Sequence, residues 1–194
     1  GSRLQGPFQL AVDDADNYYV LDPPGYRVVE FNSDLQFVAN FGAEGTGPGQ
    51  FTELGPIGIA HLNGEIFVSS FNTELINVFS TEGTFVRAID GLGSGLNSIV
   101  RPEGLGLDGE GNLLVTAASR GVRIDAAGNQ LLEFGTFDNN DASLGPGELA
   151  GPRQALAGSN GTAYVVDRYG ITRWGRDNGE FLSRWSDAGE ELGK

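Results

Sequence analysis

Gly6-Pro7-Phe8-Gln9-Leu10-Ala11-Val12 is the first of four versions of one phrase. The others are Gly55-Pro56-Ile57-Gly58-Ile59-Ala60-His61, Arg101-Pro102-Glu103-Gly104-Leu105-Gly106-Leu107 and Gly151-Pro152-Arg153-Gln154-Ala155-Leu156-Ala157. Their prolines stand 49, 46 and 50 residues apart. A period of that size marks stacked supersecondary units, so the architecture is decided here, before any single residue is weighed for chemistry.

The residues after each phrase repeat as well. Second strands are read at Tyr18-Tyr19-Val20-Leu21, Ile66-Phe67-Val68-Ser69, Leu113-Leu114-Val115-Thr116 and Ala163-Tyr164-Val165-Val166. The turns before them hold Asp, Asn and Gly, which close tight hairpins because they tolerate positive φ or bond their own backbone. Third strands are read at Val28-Val29-Glu30-Phe31, Ile76-Asn77-Val78-Phe79, Gly121-Val122-Arg123-Ile124 and Ile171-Thr172-Arg173-Trp174. Fourth strands come next, led by Phe37, Phe85, Leu131 and Phe181. Each unit is a meander of short β-rich segments bounded by turn signals.

The strands are apolar on both faces in places, as in Leu10-Ala11-Val12, which implies sheets covered on two sides. Radial stacking of blades supplies that cover and leaves only short edges. The predicted fold is all-β: a β-propeller of four blades, each a four-stranded antiparallel meander. It forms one domain over residues 1–194, with blades near 6–50, 55–95, 101–145 and 151–190. Pro56-Ile57-Gly58-Ile59-Ala60, Tyr164-Val165-Val166-Asp167 and the run from Phe41-Gly42 to Gly49-Gln50-Phe51 resemble the NHL-repeat family. Leu62 and Gly158 depart from the family's usual Asp, and Ser70 and Ala117 replace the counterparts of Asp22 and Asp167, so those turns are expected to be capped differently.

The resemblance implies rings that usually hold six blades. Four repeats therefore read as a fragment or an engineered piece of a larger propeller. Gly1-Ser2 resembles a tag-cleavage scar, Met is absent, and Ala188-Gly189-Glu190-Glu191-Leu192-Gly193 looks like the lead-in to the fourth blade, as if a fifth began there. An arc of four blades leaves two blade faces uncovered, and apolar faces of that size drive association. Self-assembly is predicted, with closed four-blade and open monomeric forms as its competitors.

Charge narrows the partners. The chain carries 26 acidic and 12 basic residues, a net charge of −14, and its one Lys is Lys194. The field repels phosphate backbones and no basic cluster offsets it, so nucleic acid is not an expected partner, although the resemblance includes relatives that bind RNA. No apolar run is long enough to insert in a membrane as a helix. Acidity suits solubility and saline or extracellular surroundings; extracellular is slightly favoured and the compartment stays open. With no Cys, disulfides and thiol chemistry are excluded.

No catalytic residue is assigned. His61, the one histidine, aligns with Val12, Leu107 and Ala157 and reads as a buried, hydrogen-bonded core residue rather than an acid-base group. No second His completes a zinc site, no Gly-x-Ser-x-Gly elbow is present, and no helix pattern comes after Gly91-Leu92-Gly93-Ser94-Gly95 to make a phosphate cradle. Hard oxygen donors cluster at Asp13-Asp14-Ala15-Asp16-Asn17, at Asp108-Gly109-Glu110-Gly111-Asn112 and at Asp138-Asn139-Asn140-Asp141. They make Asp14, Asp16, Asp108 and Glu110 weak Ca²⁺ candidates, but hairpin turns call for Asp and Asn on backbone grounds alone, and no cofactor is expected.

The longest connections, residues 42–55, 90–101 and 135–151, lie at one end of the meander, and long irregular loops are more often functional than short hairpins. Phe8, Ile57, Glu103 and Arg153 enter the first strands at that end and vary where their neighbours do not. With Arg120, Arg168 and Tyr169 they form the candidate binding face, in which aromatic and Arg side chains are apt hot spots. Simple solvation of varied positions is the competing reading. Trp174 and Trp185 are read as packing residues. The expected function is a non-catalytic scaffold that binds a protein or peptide, or copies of itself. The alternative is a channel-mouth enzyme of lyase or hydrolase type, or a small-ligand binder, with or without a cation.

Overall fold

The computed structural model describes residues 3–90, 101–118, 120–137, 145–186 and 191–193. The chain divides into two compact units, Gly1–Pro102 and Glu103–Lys194. In the first, β1 (Leu10–Val12), β2 (Tyr18–Asp22), β3 (Arg27–Phe31) and β4 (Phe37–Phe41) make one sheet. β5 (Pro56–Leu62), β6 (Glu65–Ser70), β7 (Leu75–Ser80) and β8 (Phe85–Asp90) make a second. In the other unit, β9 (Pro102–Leu107), β10 (Leu113–Ala117), β11 (Arg120–Ile124) and β12 (Gln130–Phe134) form a third sheet. A short parallel pair, β13 (Thr136–Phe137) and β14 (Glu148–Leu149), leads to the fourth: β15 (Gln154–Ala157), β16 (Ala163–Asp167), β17 (Gly170–Trp174), β18 (Phe181–Ser186) and β19 (Glu191–Gly193).

All four sheets are antiparallel meanders in chain order, as the repeat predicts. The last gains an edge strand: the tail read as a lead-in to another blade instead pairs β19 against β18, with Leu192 opposite Arg184. A register shift falls at one repeat position in every sheet, between Glu30 and Phe31, Val78 and Phe79, Arg123 and Ile124, and Arg173 and Trp174. An extra residue there twists the third strand against the fourth.

The hairpins are built by side chains. Asp13 accepts the amides of Ala15 and Asn17 and the Asn17 side-chain NH₂, each at 2.9 Å. Asp108 does the same for Glu110 and Asn112, and Asp125 for Ala127 and Asn129. This Asx geometry fixes the turn through bonds between residues no more than four apart. The residue before the last three repeat prolines also has a conformational reason: φ is 48° at Gly55 and 56° at Gly151, and Arg101 takes the same left-handed conformation at 57°.

Asp22 receives the amides of Gln5 and Gly6 at 2.8 Å and pairs with Arg27 at 2.9 Å. Asp167 pairs with Arg184 at 3.1 Å. In the second and third sheets, where Ser70 and Ala117 occupy that position, the preceding residue instead bonds the first strand two residues after the repeat proline. Ser69 Oγ accepts the Gly58 amide and Thr116 Oγ1 the Gly104 amide, both at 2.8 Å.

Each unit has its own core between two sheets. Ala11, Tyr19, Leu21, Val28 and Phe41 of the first sheet pack with Ile59, Ile66, Val68 and Phe79 of the second. Leu114 and Phe134 of the third pack with Ala155, Ala163, Val165 and Trp174 of the fourth. Two-sided cover holds only in part. The second and third sheets are buried on both faces, whereas β1 alternates exposed and buried and β16 alternates buried and exposed. The first and last sheets each keep one open face.

Candidate functional site

The long connections are anchored more firmly than their sequence suggests. After β4 the chain turns back so that Phe51 is fully buried in the core of the first unit, its ring centroid 6.3 Å from that of Phe79. Gln50 Oε1 accepts the Gly47 amide at 2.8 Å and holds the turn that delivers Phe51. The second unit repeats the device: Glu148 accepts the Gly145 amide and Leu149 is fully buried beside Phe134 and Trp174. A Gly-rich loop with one buried apolar plug is a closure for the space between two sheets. The connection at 91–100, which includes the Gly91-Leu92-Gly93-Ser94-Gly95 stretch, and the Asp138-Asn139-Asn140-Asp141 donors lie outside the described residues.

The predicted face splits when placed. Phe8 is exposed and Ile57 half-buried, each at the start of a first strand. Glu103 and Arg153 come near one another: burial pushes the Glu103 carboxyl above the usual carboxylate range, and the Arg153 charge pulls it part of the way back. Arg120 is committed within its own sheet, 2.9 Å from Glu133 across β11 and β12. The Arg168 amide donates to Ala150 O at 3.0 Å and the Tyr169 amide to Asp167 Oδ1 at 2.9 Å, so both belong to the turn that Asp167 organises.

The oxygen donors are largely occupied. Asp108 closes its turn and lies 3.3 Å from the buried Arg123 guanidinium, which also donates to Arg176 O at 2.8 Å. Glu110 pairs with Arg176, while Asp14 and Asp16 are exposed. No group of three or more acidic or His side chains suited to a metal ion occurs among the described residues. His61 is half-buried opposite Ile66, at a strand-end position where Val12 and Leu107 are exposed; it is not the fully buried residue that alignment with apolar neighbours suggests.

Sequence reasoning missed two features. First, Gln side chains tie neighbouring first strands together: Gln9 Oε1 accepts the Ile59 amide at 3.3 Å, and Gln154 Nε2 donates to Leu105 O at 2.8 Å. Second, Trp185 is not a packing residue. Trp174 is buried in the core, but Trp185 stands on the open face of the last sheet with Leu156, Tyr164, Val166 and Ile171. A cavity of about 270 Å³ on that sheet is lined by Tyr164, Ile171, Arg173, Ser183, Arg184 and Trp185. The first sheet exposes Leu10, Val12 and Phe37.

Four-stranded meanders repeated at this period match solved structures over nearly the whole chain. Streptogramin B lyase aligns with a TM-score of 0.64 at 18% identity, over 97% of this chain and 54% of that one. A chain of the nidogen/laminin complex aligns at 0.63 and 14% identity, over 98% of this chain and 65% of that one. The fold is that of a β-propeller. In sequence, the blades are similar to Protein brain tumor of Drosophila melanogaster, 26% identical over 132 residues, which is 66% of this chain and 12% of that protein. No family model matches the chain. This propeller chain thus spans about half of the lyase structure and a small part of brain tumor. Among its described residues no helix is long and apolar enough to cross a membrane.

Proposed function

We propose that the chain is a non-catalytic β-propeller scaffold whose role is to bind protein, and that its blades are NHL-type repeats. The finer repeat assignment is supported by the Pro-x-Gly-Ile-Ala and Tyr-Val-x-Asp phrases and by the similarity to brain tumor, an NHL protein. One observation carries the functional reading: the first and last sheets expose aromatic and branched side chains in contiguous strands, a pattern that marks interaction surfaces. Phe8, just before β1, and Arg153, just before β15, adjoin these two sheets in sequence, while Ile57 and Glu103 belong to the second and third sheets. Acidic and basic groups elsewhere are tied up in structural pairs, including Asp22 with Arg27, Asp108 with Arg123 and Asp167 with Arg184.

Site-specific photocrosslinking tests the reading. A benzophenone amino acid replaces Trp185 or Phe8, with Asn72 as an exposed control position. The scaffold reading expects crosslinked protein adducts from 185 or 8 and none from 72. Equal or absent adducts at all three positions contradict it.

A small-ligand reading keeps one observation in its favour. The half-buried Glu103 carboxyl, pushed above its usual range by burial and drawn partly back by the nearby Arg153 charge, is a combination suited to a polar ligand. Glu103→Gln that abolishes ligand-induced stabilisation, with the fold intact, supports this reading; an unchanged effect removes it.

A further inference from the structure

The two open faces copy the two sides of one buried seam. By strand register, Leu156, Tyr164, Ile171 and Trp185 of the fourth sheet occupy the positions of Ala11, Tyr19, Val28 and Phe41 in the first. In the first sheet those four are buried against the second, Phe41 at 8% exposure; in the fourth, Leu156 is 56% and Trp185 66% exposed. The converse holds for the other face of the first sheet. Leu10, Val20, Phe31 and Phe37 occupy the positions that Ile59, Val68, Phe79 and Phe85 hold in the second sheet. Leu10 is 58% exposed where Ile59 is 4%. One chain thus carries both complementary halves of a seam that it has already built once internally.

We propose that the fourth blade of one copy docks on the first blade of a second copy, head to tail; this names the partner for the scaffold reading and rests on it. Trp185 packs on Phe31 of the partner subunit as Phe41 packs on Phe79, whose ring centroids are 4.9 Å apart. Charge favours this pairing over a copy of the internal one. Arg173 holds the position of Glu30, whose carboxyl, raised first by burial and then by Asp13 of its own sheet, also feels the repulsion of Glu82 in the turn after β7. The corresponding turn of the first sheet, Asn32-Ser33-Asp34, places Asp34 where Glu82 stands. Arg173 therefore meets Asp34 of the partner subunit, an opposite-charge pair where the internal seam sets two carboxylates. A seam between two different surfaces is heterologous, so it propagates or closes into a ring and does not stop at a two-fold dimer.

A charge-swap mixing experiment tests the proposal. Arg173→Glu and Asp34→Arg both alter exposed side chains, and circular dichroism verifies that each variant folds. Sedimentation velocity is run on the wild type, on each variant alone and on an equimolar mixture. The wild type is expected to associate, each variant alone to do so at least about tenfold more weakly, and the mixture to recover, because each altered face then meets its complement. A wild type that stays monomeric overturns the proposal, as do variants that associate like the wild type or a mixture that stays dissociated. If that happens while residue 185 crosslinks a different protein, the second copy is wrong and the scaffold reading stands. If no protein crosslinks at 185 or 8, the scaffold reading falls too.

Discussion

At residue scale, two positions show how little freedom the seams leave. A Cβ on Gly106 would sit 1.9 Å from Ala155 O, and one on Gly104 2.2 Å from Arg153 O, so β9 and β15 approach each other more closely than any other residue allows. Gly106→Ala is expected to lower stability by about 1–3 kcal/mol or more, because backbone must move rather than a flexible side chain; chemical denaturation measures it. Glu30 offers the opposite case. Burial first, then the charges of Asp13 and Glu82, raises its carboxyl above the usual range. A raised carboxyl pKa contributes stability below the unfolded-state value and loses it as pH rises through the folded-state value. At neutral pH the ionised group is therefore a cost, and Glu30→Gln should raise the melting midpoint there, with the gain shrinking toward about pH 4. A lower midpoint at neutral pH would contradict the assignment.

Blades are where the sequence is most legible and where it misleads in an instructive way. Strand order, the shared bulge and the Asp-x-x-x-Asn turns are local, so they leave a local record in residue spacing and turn chemistry. The long connections leave no periodic record, and they read as functional loops. Their described parts work through single side chains, Phe51 and Leu149, that plug the two cores. Phe51→Ala should destabilise the chain by about 3–5 kcal/mol, as truncation of a buried aromatic ring does, whereas the nearby exposed Leu54→Ala should have little effect. Equal effects in a denaturation series would show that the loop, not the core, holds Phe51. Trp185 illustrates the other limit. Its position copies Phe41, and no pattern within a blade reveals whether another blade lies beside it, so Trp174 and Trp185 look alike in sequence while one is buried and the other exposed.

Over the whole molecule, two opposed terms govern association. The open apolar faces of the first and fourth sheets favour it, while a net charge of −14 makes every copy repel every other at long range. Salt screens the second term without weakening the first, so association should strengthen between roughly 0.01 M and 0.15 M ionic strength, over which the Debye length falls from about 30 Å to 8 Å. Weakening across that range would mean that charge pairing, not apolar cover, dominates the seam. The central claim at this scale, that the open face of the fourth blade docks on the first blade of a second copy, is tested most directly by absolute molar mass from light scattering after size exclusion, across a concentration series. The account predicts a mass above the 20.5 kDa of one chain that climbs with concentration and returns to 20.5 kDa in Trp185→Glu. A mass of 20.5 kDa at every concentration, unchanged by that substitution, would contradict it.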